Sequence, residues 1–155
     1  MNIRFATEKD IPQMIDLLLQ VGQVHHEIRP DLFRAGAQKY DEAALRRLLG
    51  DETRPIIAGV ENDVMMGYAF CILQEIKDDP VLCDRKCLYI DDLCVDESVR
   101  GGGVAQAIYQ GVLDYARSIH CDAVTLNVWC GNDRALRFYE RCGLKPQKIG
   151  MELTL

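Results

Sequence analysis

The chain has no apolar run approaching the roughly 18–20 residues that a membrane span requires. Its first residues, Met1-Asn2-Ile3-Arg4-Phe5, show no basic stretch followed by an apolar one, so no secretory leader is expected. Histidine is scarce: of three, only His25 and His26 are adjacent, and with Cys83-x-x-x-Cys87 they are too few for a zinc motif. No metal is therefore expected. A surplus of basic residues is lacking too: 18 Lys+Arg stand against 24 Asp+Glu, a net charge of −6. A general nucleic-acid binder needs a clustered basic surface, so that class is excluded. Twelve glycines and five prolines are too few for a low-complexity chain. The seven cysteines are odd in number and irregular in spacing, which reads as free thiols in a reducing cytoplasm.

What remains is an ordinary globular composition, 48% apolar over 155 residues, a length that suits one domain spanning 1–155. Residues 2–6 alternate as a short strand. Thr7 or Asp10 can cap the helix that follows, whose apolar positions are Ile11, Met14, Ile15, Leu18 and Val21. A second helix is expected from about Tyr40 to Leu49, then a hairpin of strands 55–60 and 64–73 around Glu61-Asn62-Asp63. Leu88–Val95 and Val124–Trp129 read as strands, separated by a helix after Gly103. A last helix starts at Asn132 and a last strand lies within 147–154. The expected fold is α/β (α+β): a mixed central sheet of about six to seven strands flanked by about four helices.

Chemistry concentrates where the strand Leu88–Val95 runs through Arg100-Gly101-Gly102-Gly103 into a helix. Backbone N–H groups at such a helix start form a nest for phosphate oxygens. Two nucleotide templates fail: Val104-Ala105-Gln106 is not the Lys-Ser/Thr of a Walker loop, and Gln106 stands where a dinucleotide fingerprint needs glycine. Arg100-x-x-Gly103-x-Ala105 instead resembles the acetyl-CoA loop of the GNAT superfamily of N-acetyltransferases. Asn132-Asp-Arg-Ala135-Leu-Arg-Phe138-Tyr139-Glu-Arg-Cys-Gly143-Leu144 is similar to that family's second signature, with Leu144 departing from its usual phenylalanine. Both motifs occur in the family's order, and the order of elements agrees over nearly the whole chain.

The resemblance implies acetyl-CoA as co-substrate and an amine acceptor, either a small molecule or a peptide or protein amine. It implies pantetheine contacts from Leu93, Cys94 and Val95, where strands splay apart. Pyrophosphate contacts are implied for Arg100, Gly101, Gly102, Gly103, Val104 and Ala105, together with Gln106, and pantetheine or adenine-side contacts near Asn132. Tyr139 matches the family tyrosine that faces the CoA sulfur, and a homodimer is compatible with the family's habits.

Acyl transfer to an amine needs a base, because an alkyl ammonium has a pKa near ~10. It also needs an oxyanion donor and an acid for the leaving thiolate. Tyr139 is the candidate acid. Asp91 and Asp92, carboxylates in an apolar strand, are candidate bases; strict alternation would send them to opposite faces, and Asp91 is the slightly preferred one. His25, His26, Arg29 and Phe33 lie where the family builds its acceptor pocket, with Glu75 a weaker candidate and the histidines alternative bases. Cys94, Trp129 and Tyr68 read as packing residues. Residues 1–99 carry a net −8 and residues 100–148 a net +3. That split suggests a basic cofactor side and an acidic acceptor side steering a cationic amine. A non-catalytic acetyl-CoA-binding module is the alternative function, separated from the enzyme by turnover.

Overall fold

The computed structural model describes residues 1–155. Five strands form one sheet in the order β1 (Asn2–Phe5), β2 (Ile56–Glu61), β3 (Val64–Ile76), β4 (Arg85–Val95) and β5 (Ala123–Leu126). The first four are antiparallel neighbours and β5 joins β4 in parallel, so the sheet is mixed. Helices α1 (Ile11–Ile28) and α2 (Glu42–Leu49) cover one face; α3 (Val104–Ser118) and α4 (Asp133–Arg141) cover the other. The α/β architecture is as expected. The strand count is not: residues 147–154 make no backbone pairing with the sheet and carry no regular structure, their one hydrogen bond being that which the Glu152 side chain accepts from Arg29 at 3.0 Å. Their apolar alternation suits a strand, but a strand also needs a neighbour's backbone groups, and an open groove separates them from β5.

Local chemistry explains where α1 begins. Asp10 is 4% exposed and accepts two hydrogen bonds from Arg4, at 2.7 and 2.9 Å, plus one from the Thr7 N–H at 2.7 Å. That pair ties β1 to the helix start, and Pro12 follows in the first turn, where a missing N–H is harmless. Ile11, Met14, Leu17 and Leu18 then pack with Leu45 of α2 against Ala58, Tyr68 and Phe70. Ile108, Tyr109 and Val112 of α3 fill the opposite side against Ile57, Ala69, Leu88 and Ile90.

Two irregularities position the site. The β4–β5 ladder ends at Ile90–Leu126, so the last five residues of β4 have a neighbour only on the β3 side. The β3–β4 register shifts as well: Phe70 faces Asp92 and Cys71 faces Ile90, leaving Asp91 as an extra, bulged residue. The bulge inverts facing. Ile90 packs under α3, whereas Cys94, an even number of residues later, packs under α1.

Candidate active site

A groove of about 2050 Å³ opens where β4 and β5 diverge. Typical single-ligand pockets hold roughly 300–1,000 Å³, so there is room for a long cofactor and an acceptor together. Nine Lys/Arg and four Asp/Glu line it, a net +5 on a molecule of net −6. Such a surface favours a polyanion.

On the side expected for the cofactor, the Asp96 N–H donates to the Met66 carbonyl at 2.9 Å, which fixes the phase of the ladder. By alternation, Asp92 and Cys94 bond to β3, and the backbone groups of Leu93 and Val95 face the gap. Arg100 Nε donates to one of them, the Val95 carbonyl, at 3.2 Å and closes the lower end. Gly101 and Gly103 take φ of +87° and +83°, conformations that favour glycine, and Gly103 immediately precedes α3. Val104 is buried in the core and anchors the helix start, with Ala105 half-buried and Gln106 exposed beside it. The Cys142 thiol bonds Gln106 at 3.4 Å, joining α3 to α4. Asn132 caps α4 through the Ala135 N–H at 3.2 Å. Arg100, Gly101, Gly103, Val104, Ala105, Gln106 and Asn132 all line the groove. The splayed edge, the glycine turns and the basic lining fit an extended, phosphate-bearing thioester.

The carboxylates depart from strict alternation. Asp91 bonds Lys39 Nζ at 2.6 Å and Asp92 bonds the Tyr68 hydroxyl at 2.9 Å. Lys39 lies in the connection between α1 and α2, and Tyr68 is packed beneath α1, so both carboxylates lie on the α1 side and line the groove. The bulge at Asp91 is the reason, since an extra residue breaks the period of two. Burial pushes the Asp92 carboxyl up to about 6, against the opposing pull of the Tyr68 hydroxyl and the Lys39 charge. The Leu93 N–H also lies toward this carboxylate and favours its charged form. Tyr139 lines the groove from α4, packed beside Phe138 and Tyr109. Burial, then the nearby Asp92 charge, hold its hydroxyl well above the ordinary tyrosine value. Burial likewise pushes the Cys94 thiol up to about 12, and it is bonded to the Leu17 carbonyl at 3.5 Å. A thiol so held is a poor nucleophile.

On the side expected for the acceptor, His25 stacks on Phe33 with centroids 5.0 Å apart, and Phe33 meets Trp129 edge-on at 5.4 Å. Arg29 lies over Trp129 at 5.8 Å. His25, Arg29, Phe33 and Trp129 therefore form one aromatic wall of the groove. Burial and the Lys39 charge lower the His25 pKa. His26 turns away and bonds the Phe33 carbonyl at 2.7 Å. Glu75 is not brought to the groove: it is exposed near the far end of β3, paired with Lys77 at 3.2 Å. Trp129 is half-exposed groove wall instead of core, because the chain leaves the sheet after Leu126. Nor is the side expected for the acceptor acidic. The α1–α2 connection brings Arg29, Arg34 and Lys39 to the groove, while Asp31 points to solvent beside Arg29. Lys39, Arg34 and the Tyr68 hydroxyl escaped sequence reading, because no local pattern pairs them with residues of a distant strand.

A splayed mixed sheet, a glycine turn before a helix, and a carboxylate and a half-buried tyrosine lining one groove are compatible with acyl transfer. The model of the acetyltransferase (GNAT) family matches residues 22–144, and the chain belongs to that family. Glucosamine 6-phosphate N-acetyltransferase of Trypanosoma brucei brucei is 33% identical over 157 residues, covering 100% of this chain and 96% of that one. A crystal structure of a mutant BH1408 protein from Bacillus halodurans superposes with a TM-score of 0.95 at 33% identity, covering 100% of this chain and 99% of that one. An aminoglycoside acetyltransferase from an uncultured soil metagenomic sample shares the fold, with a TM-score of 0.73 and 18% identity in its sisomicin complex, over 99% and 95% of the two chains. The protein is an acetyltransferase, and its family typically uses acetyl-CoA.

Proposed function

We propose that the chain transfers acetyl from acetyl-CoA to a primary amine by direct attack within a ternary complex. The observation that carries this reading is the pair of groups flanking the splayed end of β4: Asp92, held near 6, and Tyr139, held protonated. Asp92, directly or through water, takes the ammonium proton of the acceptor. The structure favours it over Asp91, whose charge is engaged by Lys39. Backbone N–H groups on the gap edge of β4 stabilise the oxyanion. Tyr139 then donates its phenolic proton to the departing sulfur. Leu93, Cys94 and Val95 flank the pantetheine arm, and the turn from Arg100 to Gln106 holds the pyrophosphate.

The acceptor is a small amine carrying an anionic group, such as an amino-sugar phosphate. Arg34, which lines the groove next to Phe33, supports this, as does the activity named for the trypanosomal relative; Arg29 is already held by Asp31 and Glu152. Residues 1–155 work as one domain in the cytoplasm, consistent with seven free cysteines; no helix is long and apolar enough to cross a membrane. The molecule acts as a homodimer through its last segment: no residue after Ala116 is fully buried, and Ile149, Met151 and Leu153 are 82%, 90% and 84% exposed. Light scattering of the intact chain and of one ending at Gln147 tests this: a dimer, then a monomer, is expected.

The functional test is CoA release over a panel of amino sugars, their phosphates, polyamines and peptides, with Tyr139→Phe alongside. Saturable turnover that falls about 10²-fold in the variant supports the enzyme. Tight acetyl-CoA binding without turnover on any amine would leave only a binding module.

A further inference from the structure

Six lysines occur in the chain, at 9, 39, 77, 86, 145 and 148. Lys77 is paired with Glu75, and Lys86 bonds the Ile119 carbonyl at 2.7 Å, both outside the groove. Lys39, Lys145 and Lys148 line it. Of these, Lys39 alone has its amine against a groove carboxylate, 2.6 Å from Asp91, and it feels the charge of Asp92 as well. Its side chain remains 48% exposed.

The position has a chemical consequence. A strand advances about 3.3 Å per residue, so Asp91 lies roughly 7 Å along β4 from Leu93, one of the residues proposed above to flank the pantetheine arm. Lys39 is thus a primary amine held by Asp91, the chain neighbour of the proposed base Asp92, and carried on a flexible side chain. No acceptor needs to diffuse in. Holding two reactants together replaces a bimolecular encounter with a unimolecular one, whose effective molarity can be large when the geometry allows attack.

We propose that Lys39 is a self-acetylation site, modified in cis from the chain's own bound acetyl-CoA when acceptor is absent. The proposal rests on the acetyl-CoA reading above. The Lys39 ammonium first gives up a proton to Asp92 or to water. Nζ then attacks the acetyl carbonyl carbon; the new C–N bond forms as the C–S bond breaks. The sulfur leaves with the electron pair and takes the proton of Tyr139, which is restored from solvent. Products are Nζ-acetyl-Lys39, free CoA thiol and one proton. The ammonium that ties the α1–α2 connection to Asp91 is thereby lost.

Intact-mass spectrometry and peptide mapping of the purified chain incubated with acetyl-CoA alone test this, with acetyl-CoA binding followed by calorimetry. One acetyl group at Lys39 is expected, formed at a first-order rate independent of protein concentration. It should be absent in Lys39→Arg, at least about tenfold slower in Tyr139→Phe, and suppressed by saturating acceptor. A chain that binds acetyl-CoA and acetylates small amines while Lys39 stays unmodified overturns self-acetylation and leaves the enzyme reading intact. Modification of Lys39 no faster than of Lys9, or equally fast in Tyr139→Phe, also overturns it, since solution chemistry would then suffice. Absence of acetyl-CoA binding overturns both readings.

Discussion

In the proposed mechanism Asp92 and Tyr139 make opposite demands on proton affinity, and their surroundings suit both. A base must be ionised to work. With its carboxyl held near 6 in place of the usual ~4, Asp92 should make kcat rise as pH climbs through about 6. Tyr139 must stay protonated, and its raised pKa means that it imposes no alkaline fall in kcat through neutral pH. Rate–pH profiles check this: Asp92→Asn should lose about 10²-fold in kcat together with the inflection near 6, while Asp91→Asn should retain both within about tenfold. Equal profiles for the two variants would count against Asp92. The Asp-Asp pair was legible in the sequence as a costly feature of an apolar strand. Which of the two works was not, because Lys39 and Tyr68 reach them from 52 and 24 residues away.

Among the elements, β4 carries the site, and both of its useful properties are departures from regularity. Alternation anticipates a straight strand with its aspartates on opposite faces; the bulge at Asp91 puts both on the α1 side. A one-residue insertion in a ladder depends on how β3 and β4 align, which neither segment states alone. The glycine turn was readable, because strand, glycines and helix are local in sequence. At Gly103, φ is +83°, so Gly103→Ala should cost about 1–2 kcal/mol and raise the KM for acetyl-CoA more than it lowers kcat. Steady-state kinetics and urea unfolding of the same preparation separate the two effects. The start of α1 was half-legible: Thr7 and Asp10 were expected caps, but the Arg4 partner was not. Removing the buried side of this part-buried pair in Asp10→Ala should cost about 2 kcal/mol in urea unfolding at neutral pH, since Arg4 keeps contact with water. Arg4 lowers the Asp10 pKa in the fold. Its contribution is thus complete above the unfolded value near ~4 and lost as pH falls through the lower folded one. The gap between variant and parent should therefore close in acid.

For the whole molecule, the order of elements and one-sheet architecture followed from local periodicity and capping, whereas the sixth strand did not form. Residues 147–154 have the strand pattern, and pairing is a property of two segments. The charge split along the chain was also only partly spatial. Its basic later portion does line the groove, but Arg29, Arg34 and Lys39 arrive there from the acidic portion. A groove of net +5 on a chain of net −6 should bind acetyl-CoA less tightly as salt rises, while an uncharged pantetheine thioester should show little such dependence. Titrations at two ionic strengths check this. The central claim is direct transfer between two substrates held together in that groove. Initial velocities with acetyl-CoA and an amino-sugar phosphate varied against each other test it most directly. Intersecting double-reciprocal lines are the expected result; parallel lines, with acetyl found on Cys94, would contradict it.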